Sequence, residues 1–276
     1  MLVSDVSAPA RLGALAGQYD AVLCDVWGVI RDGESLIGPA LDALVRFRQQ
    51  GGQVCLVSNS PRRAPSLERF LKGMGAPDGV WDAVVTSGDA THALLSRFGT
   101  GPAYKLGPDF DDAIYAGTGL EFAALQNAKL VSCTGLVDYL TETPEDYAGL
   151  LEEAAALDLP MVCANPDIVV QGPGGRLLYC AGALAEAYEA LGGTALYAGK
   201  PHAPIYELAY EALARLSGET PPKARILAIG DGPATDLAGA NREGLDCLFI
   251  TGGINSGEIS WPDSRGPRWQ APDLVW

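Results

Sequence analysis

Histidine is nearly missing from this chain of 276 residues, which carries only His92 and His202. The six cysteines (Cys24, Cys55, Cys133, Cys163, Cys180 and Cys247) are scattered, and none forms a C-x-x-C pair. These shortages argue against a zinc site and a disulfide framework, and point to buried, reduced thiols. Positive charge is also scarce, with 19 Lys and Arg against 34 Asp and Glu and a formal net charge of −15. Binding a phosphate backbone needs clustered cations, so no nucleic-acid partner is expected. A small phosphorylated molecule remains compatible, because one local lysine and a metal override the global field. No apolar run approaches the length that crosses a bilayer, and MLVSDVSAPARLGAL lacks a basic segment followed by an apolar core. The expectation is a cytoplasmic protein with no membrane partner. No G-x-S-x-G element supports a serine-hydrolase mechanism.

What the chain does have is apolar residues, 48% against 19% charged, enough for one large or two modest domains with a substantial core. Strands and helices alternate along it. The stretch YDAVLCDVWGVI at residues 19–30 runs from apolar residues into Asp25 and then Gly28, as a buried parallel strand opening into a loop does. A helix follows, with Pro39 in its first turn, Leu41, Leu44, Val45 and Phe47 as its stripe, and Gly51-Gly52 as its stop. Next come a strand at Gln53–Ser58, a helix at 66–74 and a strand at 82–86, a βαβαβ run. Beyond residue 87 the pattern predicts a helix at 90–98 and strands at 103–106 and 129–132. A helix at 144–157 and a strand at 160–164 follow. Gly172 to Gly175 reads as a hairpin or loop turn rather than a nucleotide loop. Helices at 183–191 and 204–216 and strands at 195–197, 225–229 and 247–250 complete the pattern, the last being the final strand expected. The Pro- and Trp-rich tail from 260 to 276 suggests only surface or partner packing.

Three of these strands end in polar side chains: Asp25, Ser58 and Asp231. In an open parallel sheet, ligands bind at such strand ends. Asp236 lies near the start of the helix after Asp231, and Lys200 in a turn before another helix. Three carboxylates brought together repel one another unless a hard divalent cation neutralises them. Oxygen ligands without His or Cys point to Mg²⁺, which typically sits beside a phosphate. Lys200 and the Ser58 hydroxyl would hold the remaining phosphoryl oxygens.

DVWGV at 25–29, SNS at 58–60, GKP at 199–201 and GDGPATD at 230–236 stand in one order and spacing. In them the chain resembles the haloacid dehalogenase-like (HAD) hydrolases, and among these the class IIA sugar-phosphatase-like proteins. The resemblance implies an α/β fold with a Rossmann-like three-layer core, parallel-sheeted, at 1–86 and 182–276, and an inserted α/β cap at 87–181. It implies Asp25 as the nucleophile that forms an aspartyl-phosphate, and Ser58 and Asn59 on the phosphoryl group. Lys200 would offset charge between the two. Mg²⁺ would be held by Asp25, the Trp27 main-chain carbonyl, Asp231 and Asp236. Asn165 and Asp167 resemble the substrate-reading strand end of the cap, although Asn-Pro and Asp are also ordinary turn residues. Relatives of this class often associate through their caps, so a homodimer is a possible assembly.

The chain departs from the family pattern at one residue. Asp-x-Asp-Gly becomes Asp25-Val26-Trp27-Gly28. The missing aspartate normally protonates the leaving group and later activates water, a contribution of about two to four powers of ten. Asp32 and Glu34 in the next loop are the nearby stand-ins. The expectation is a slow or narrow Mg²⁺-dependent phosphatase acting on a small phosphorylated metabolite. The alternative is a catalytically degenerate relative that binds a phosphorylated ligand or a partner. Dehalogenase chemistry is disfavoured, because it needs no cation and the chain keeps Asp231 and Asp236.

Overall fold

Every residue of the strand Ala21–Cys24 is buried, as a strand covered on both faces of a parallel sheet must be. The computed structural model describes residues 8–172, 175–253 and 265–276. In it this strand belongs to a seven-stranded sheet. The strands lie in the order Ala8–Pro9, Trp269–Ala271, Asp246–Ile250, Ile226–Gly230, Ala21–Cys24, Gln53–Ser58 and Ala83–Thr86. Pairing from Ala8–Pro9 across to Gln53–Ser58 is parallel throughout. Alternate side chains leave opposite faces of a strand. Val22, Cys24, Val54, Leu56, Leu227 and Ile229 therefore join Leu12, Leu44, Phe47 and Leu71 in one core. Their neighbours Leu23, Cys55, Ala228 and Phe249 are buried as well. The fold is α/β with a Rossmann-like core.

The helix Gly38–Gln49 starts at a first-turn proline and buries Ala40, Leu41, Ala43, Leu44 and Phe47. Each fully buried large side chain of this kind contributes about 1.5–3 kcal/mol. The chain reverses at Gly51, where φ is +91°, and a Cβ on Gly52 would lie 2.2 Å from the Phe47 ring. Glycine is required at Gly52 because the turn lies against its own helix.

The tail departs from what its sequence suggests. Residues 247–250 do not form the last strand: Trp269–Ala271 pairs parallel with Leu248 to Ile250 and carries Ala8–Pro9 on its other side. The Trp269 Nε1–H donates to the Tyr19 hydroxyl (3.0 Å), which donates to Asp246 (2.7 Å). Arg268 pairs with the same carboxylate at 2.6 Å. Burial above all, with Asp246 adding to it, pushes the Tyr19 hydroxyl up to about 12. Leu274 is buried, and the Trp276 ring lies where a Cβ on Gly13 would meet it at 3.0 Å. A three-residue strand is too short to show a periodic pattern, so the sequence showed only tryptophans and prolines. Part of the tail, 260–264, lies outside the described residues.

The chain divides into two units, one of Met1–Ser58, Leu67–Val85 and Tyr206–Trp276 and the other of Asn59–Ser66 and Thr86–Ile205. The expected cap, 87–181, falls inside the second unit, which also takes in Asn59–Ser66 and runs on to Ile205. That unit has its own five-stranded parallel sheet, in the order Ala195–Tyr197, Met161–Cys163, Leu130–Cys133, Pro102–Leu106 and Glu121–Phe122. Val131, Cys133, Met161 and Cys163 pack with Leu151, Leu184 and Tyr188. Leu130 and Val162 pack with Leu95 and Ile114. The expected helix at 144–157 is a 3-10 turn, Pro144–Tyr147, followed by an α-helix, Ala148–Ala156. Val169–Gln171 and Leu177–Tyr179 pair antiparallel around the expected turn, of which Pro173 and Gly174 lie outside the described residues. All six cysteines are buried, and none is joined in a disulfide. Desolvation pushes the Cys55 and Cys133 thiols up to about 12, so they stay protonated and unreactive. No helix among the described residues is long and apolar enough to cross a membrane.

Candidate active site

Strand pairing in the first unit brings the expected carboxylates together. Cys24 stands opposite Ile229 on one side and Leu56 on the other. Asp25, Ser58 and Asp231 are therefore the residues at or just past three adjacent strand ends. The Asp25 N–H donates to the Ile229 carbonyl at 2.8 Å, which ties the loop to the sheet at its first residue. Asp236 sits in the turn of helix Pro233–Leu237, and its Oδ2 accepts the Gly232 N–H at 3.1 Å. Asp25, Asp231 and Asp236 are all buried, with an oxygen of each within 4.8 Å of the others. Ser58 is buried at the neighbouring strand end.

Glycines make this convergence possible. A Cβ on Gly28, where φ is +78°, would lie 2.2 Å from Asp231 Oδ2. One on Gly253 would lie 2.3 Å from the same oxygen, and one on Gly230 would lie 2.1 Å from Asp236 Cγ. Three ionised carboxylates at such a spacing would repel by roughly 3.5–4 kcal/mol per pair at an effective dielectric of about 20. A hard cation removes that repulsion, and an all-oxygen donor set with no imidazole or thiolate fits Mg²⁺.

The loop after Asp25 holds a group that its sequence does not advertise. Arg31 is only 5% exposed. Its guanidinium carbon lies 3.9 Å from the centre of the Trp27 ring and 4.9 Å from that of Phe70. Nε donates to the Asp32 carbonyl (3.2 Å) and Nη2 to the Gly33 carbonyl (3.1 Å). The Arg31 carbonyl accepts the Gly28 N–H at 2.8 Å, and the Arg31 N–H donates to the Val26 carbonyl at 3.1 Å. An arginine four residues beyond a tryptophan in a tight turn is the available sequence signal. Asp32 is exposed, and its Oδ1 accepts the N–H groups of Glu34 (2.9 Å) and Ser35 (2.7 Å). Those two bonds hold its carboxyl below the usual range.

The second unit gathers the other expected residues. Asn59 Oδ1 accepts the Lys200 N–H at 2.8 Å, and its Nδ2 donates to the Lys200 carbonyl (3.1 Å) and to Asp167 Oδ1 (2.9 Å). Asn165 Oδ1 accepts the Asp167 N–H at 3.0 Å. Both hydrogens of the Asn59 amide are thus spent inside the protein, in a positioning task that its expected phosphate contact did not anticipate. A Cβ on Gly199 would lie 2.5 Å from Asn59 Oδ1, which explains the glycine before the lysine. Lys200 is buried. His202 stacks on Tyr197, with ring centres 4.6 Å apart, and His92 Nδ1 lies 2.8 Å from the Ile114 carbonyl.

Comparison with known proteins agrees with the fold. Residues 22–121 match the haloacid dehalogenase-like hydrolase family, and residues 197–275 match a second, HAD-hydrolase-like family. A haloacid dehalogenase-like hydrolase from Brucella suis 1330 is 44% identical, covering 97% of this chain and 100% of its own, with a TM-score of 0.90. A possible sugar phosphatase from Cytophaga hutchinsonii is 20% identical over 98% of this chain and 99% of its own, with a TM-score of 0.81, and shares the fold. A D-glycerol 3-phosphate phosphatase from Mycobacterium tuberculosis is 28% identical over 257 residues, 88% of this chain and 66% of its own length. By strand-end chemistry, fold and these matches, the chain belongs to the haloacid dehalogenase-like hydrolase family.

Proposed function

We propose that the protein is a Mg²⁺-dependent phosphatase that transfers the phosphoryl group of a small metabolite to Asp25. The reading is supported above all by the buried trio Asp25, Asp231 and Asp236, with oxygens within 4.8 Å of one another. Asp25 and Asp231, backed by Asp236 and the Trp27 carbonyl, would hold the ion, which supplies charge neutralisation at the phosphoryl group. An Asp25 carboxylate oxygen attacks phosphorus while the bond to the leaving oxygen breaks. The Ser58 hydroxyl binds a phosphoryl oxygen. Lys200 is assigned to the remaining charge by its Gly-Lys-Pro setting, and Asn59, Asn165 and Asp167 to positioning that lysine. That one relative, named as a D-glycerol 3-phosphate phosphatase, is 28% identical over 88% of the chain is consistent with a phosphoric-monoester substrate.

The test is phosphate release across a panel of phosphorylated metabolites, with and without Mg²⁺. Release that needs Mg²⁺ and disappears in Asp25→Asn is the expected result. A second reading, a degenerate relative that binds a phosphorylated ligand, is favoured by the indole of Trp27 standing against Arg31 where the family places an acid. Tight binding of phosphorylated ligands with no turnover of any of them would select it.

A further inference from the structure

We propose that this site acts on phosphoryl groups carried by a weakly basic oxygen, such as acyl and aryl phosphates, and that Arg31 enforces this by fixing Trp27. The proposal rests on the phosphatase reading above and narrows its substrate class.

Trp27 offers only a weakly acidic indole N–H, so it does not protonate a leaving oxygen. Nor does it swing aside freely. The guanidinium against its ring is anchored to the carbonyls of Asp32 and Gly33 and backed by Phe70. A guanidinium held against an aromatic face in this way restrains the ring. The same two anchors set the path of the chain through Asp32 and Glu34, the only acids between Asp25 and the helix Gly38–Gln49. Both are exposed. Asp32 is engaged by two backbone N–H groups that favour its charged form. Neither it nor the indole stands ready to give a proton.

The chemistry that remains is balanced without an acid. The Asp25 oxygen bonds to phosphorus, and the leaving group departs as carboxylate or phenolate with both electrons of the broken P–O bond. Water then attacks phosphorus, and the Asp25–phosphorus bond breaks with its electrons returning to the carboxylate. One proton of the water stays on phosphate and the other passes to solvent. An alkoxide is too basic to leave in this way. Because the second step also lacks a base, it limits turnover once the first is fast. The leaving-group effect is then read in kcat/KM, while kcat levels off.

The experiment measures kcat/KM of the wild-type chain with Mg²⁺ for acetyl, dinitrophenyl, p-nitrophenyl, phenyl and glycerol phosphates. A fall of about two to four powers of ten from the best to the worst leaving group is expected. A level profile, with glycerol phosphate as good as acetyl phosphate, overturns the proposal and leaves the phosphatase reading standing. No turnover even of the dinitrophenyl ester overturns both. The second readout is independent of activity: the fluorescence of Trp27, taken as the difference from Trp27→Phe, in chains with and without Arg31→Met. A changed Trp27 emission supports the stack, and an unchanged one overturns the role given to Arg31. The leaving-group series uses the wild-type protein, so its outcome does not depend on whether a variant folds.

Discussion

Asn59 grips Lys200 by both of its backbone polar groups, accepting its N–H at 2.8 Å and donating to its carbonyl at 3.1 Å. Asp167 braces the same amide at 2.9 Å. Asn59→Ala removes all three bonds. Buried groups that lose their partners cost about 1–3 kcal/mol, so the thermal midpoint falls. Small misplacements of a charged group cost up to about a hundredfold in rate, so kcat/KM falls by about ten- to a hundredfold with Mg²⁺ affinity unchanged. Isothermal titration with Mg²⁺ alongside kinetics separates these effects.

Gly28→Ala tests the carboxylate trio. Its φ of +78° is strained for alanine, and the added methyl would stand 2.2 Å from Asp231 Oδ2. The Asp231 carboxylate must move, and Mg²⁺ affinity is expected to drop by about ten- to a hundredfold. Gly33→Ala, where a Cβ meets nothing within 4 Å, is the matched control and leaves affinity unchanged.

Trp27→Asp puts an acid where the family resemblance expects one. Turnover of glycerol phosphate is expected to rise, with a ceiling of about two to four powers of ten. The gain is smaller than that ceiling while Arg31 is present, because a carboxylate beside a guanidinium favours its charged form. Adding Arg31→Met should raise turnover further. Equal turnover in the single and double variants would show that Arg31 does not restrain the new acid. Loss of the aromatic stack lowers stability by about 2 kcal/mol in either case.

Asp111, in the second unit, gives a pH dependence. It is 3% exposed, and its Oδ1 has no hydrogen-bond partner among the described residues. Burial pushes its carboxyl up to about 6, with Arg62 and the neighbouring Thr134 pulling the other way. The folded state therefore holds this proton more tightly than the unfolded state. The associated stability is complete below about pH 4 and is lost as pH rises through about 6. The two-unit difference corresponds to roughly 3 kcal/mol as an upper limit. Asp111→Asn is expected to flatten the stability profile across that window and to raise stability at neutral pH. Denaturant midpoints at several pH values check both.

Much of the fold, and the convergence of Asp25, Asp231 and Asp236 in the candidate site, was legible in the sequence for a physical reason. The strand ends at Asp25, Ser58 and Asp231 follow unbroken apolar runs, and in a parallel sheet such runs share an end. What escaped was set by tertiary contacts with no local signature. Arg31 reads as the first polar residue of a surface loop, and only the fold shows it buried between two aromatic rings. The resemblance puts Asn59 at the phosphoryl group, and nothing local signals that it also holds Lys200, 141 positions away. Trp269–Ala271 has the length of a turn and becomes a strand only because Leu248 to Ile250 offers it an edge.

That edge has a consequence for how the protein is made. Ala8–Pro9 bonds to Trp269–Ala271 rather than to any strand from the first half of the chain. A nascent chain leaving the ribosome can order its Asp25 strand early, but this flank of the sheet closes only once Trp269–Ala271 has emerged. Contacts of such long range are slow to form. Until they do, the open strand Asp246–Ile250 is a place where two unfinished copies could pair by mistake.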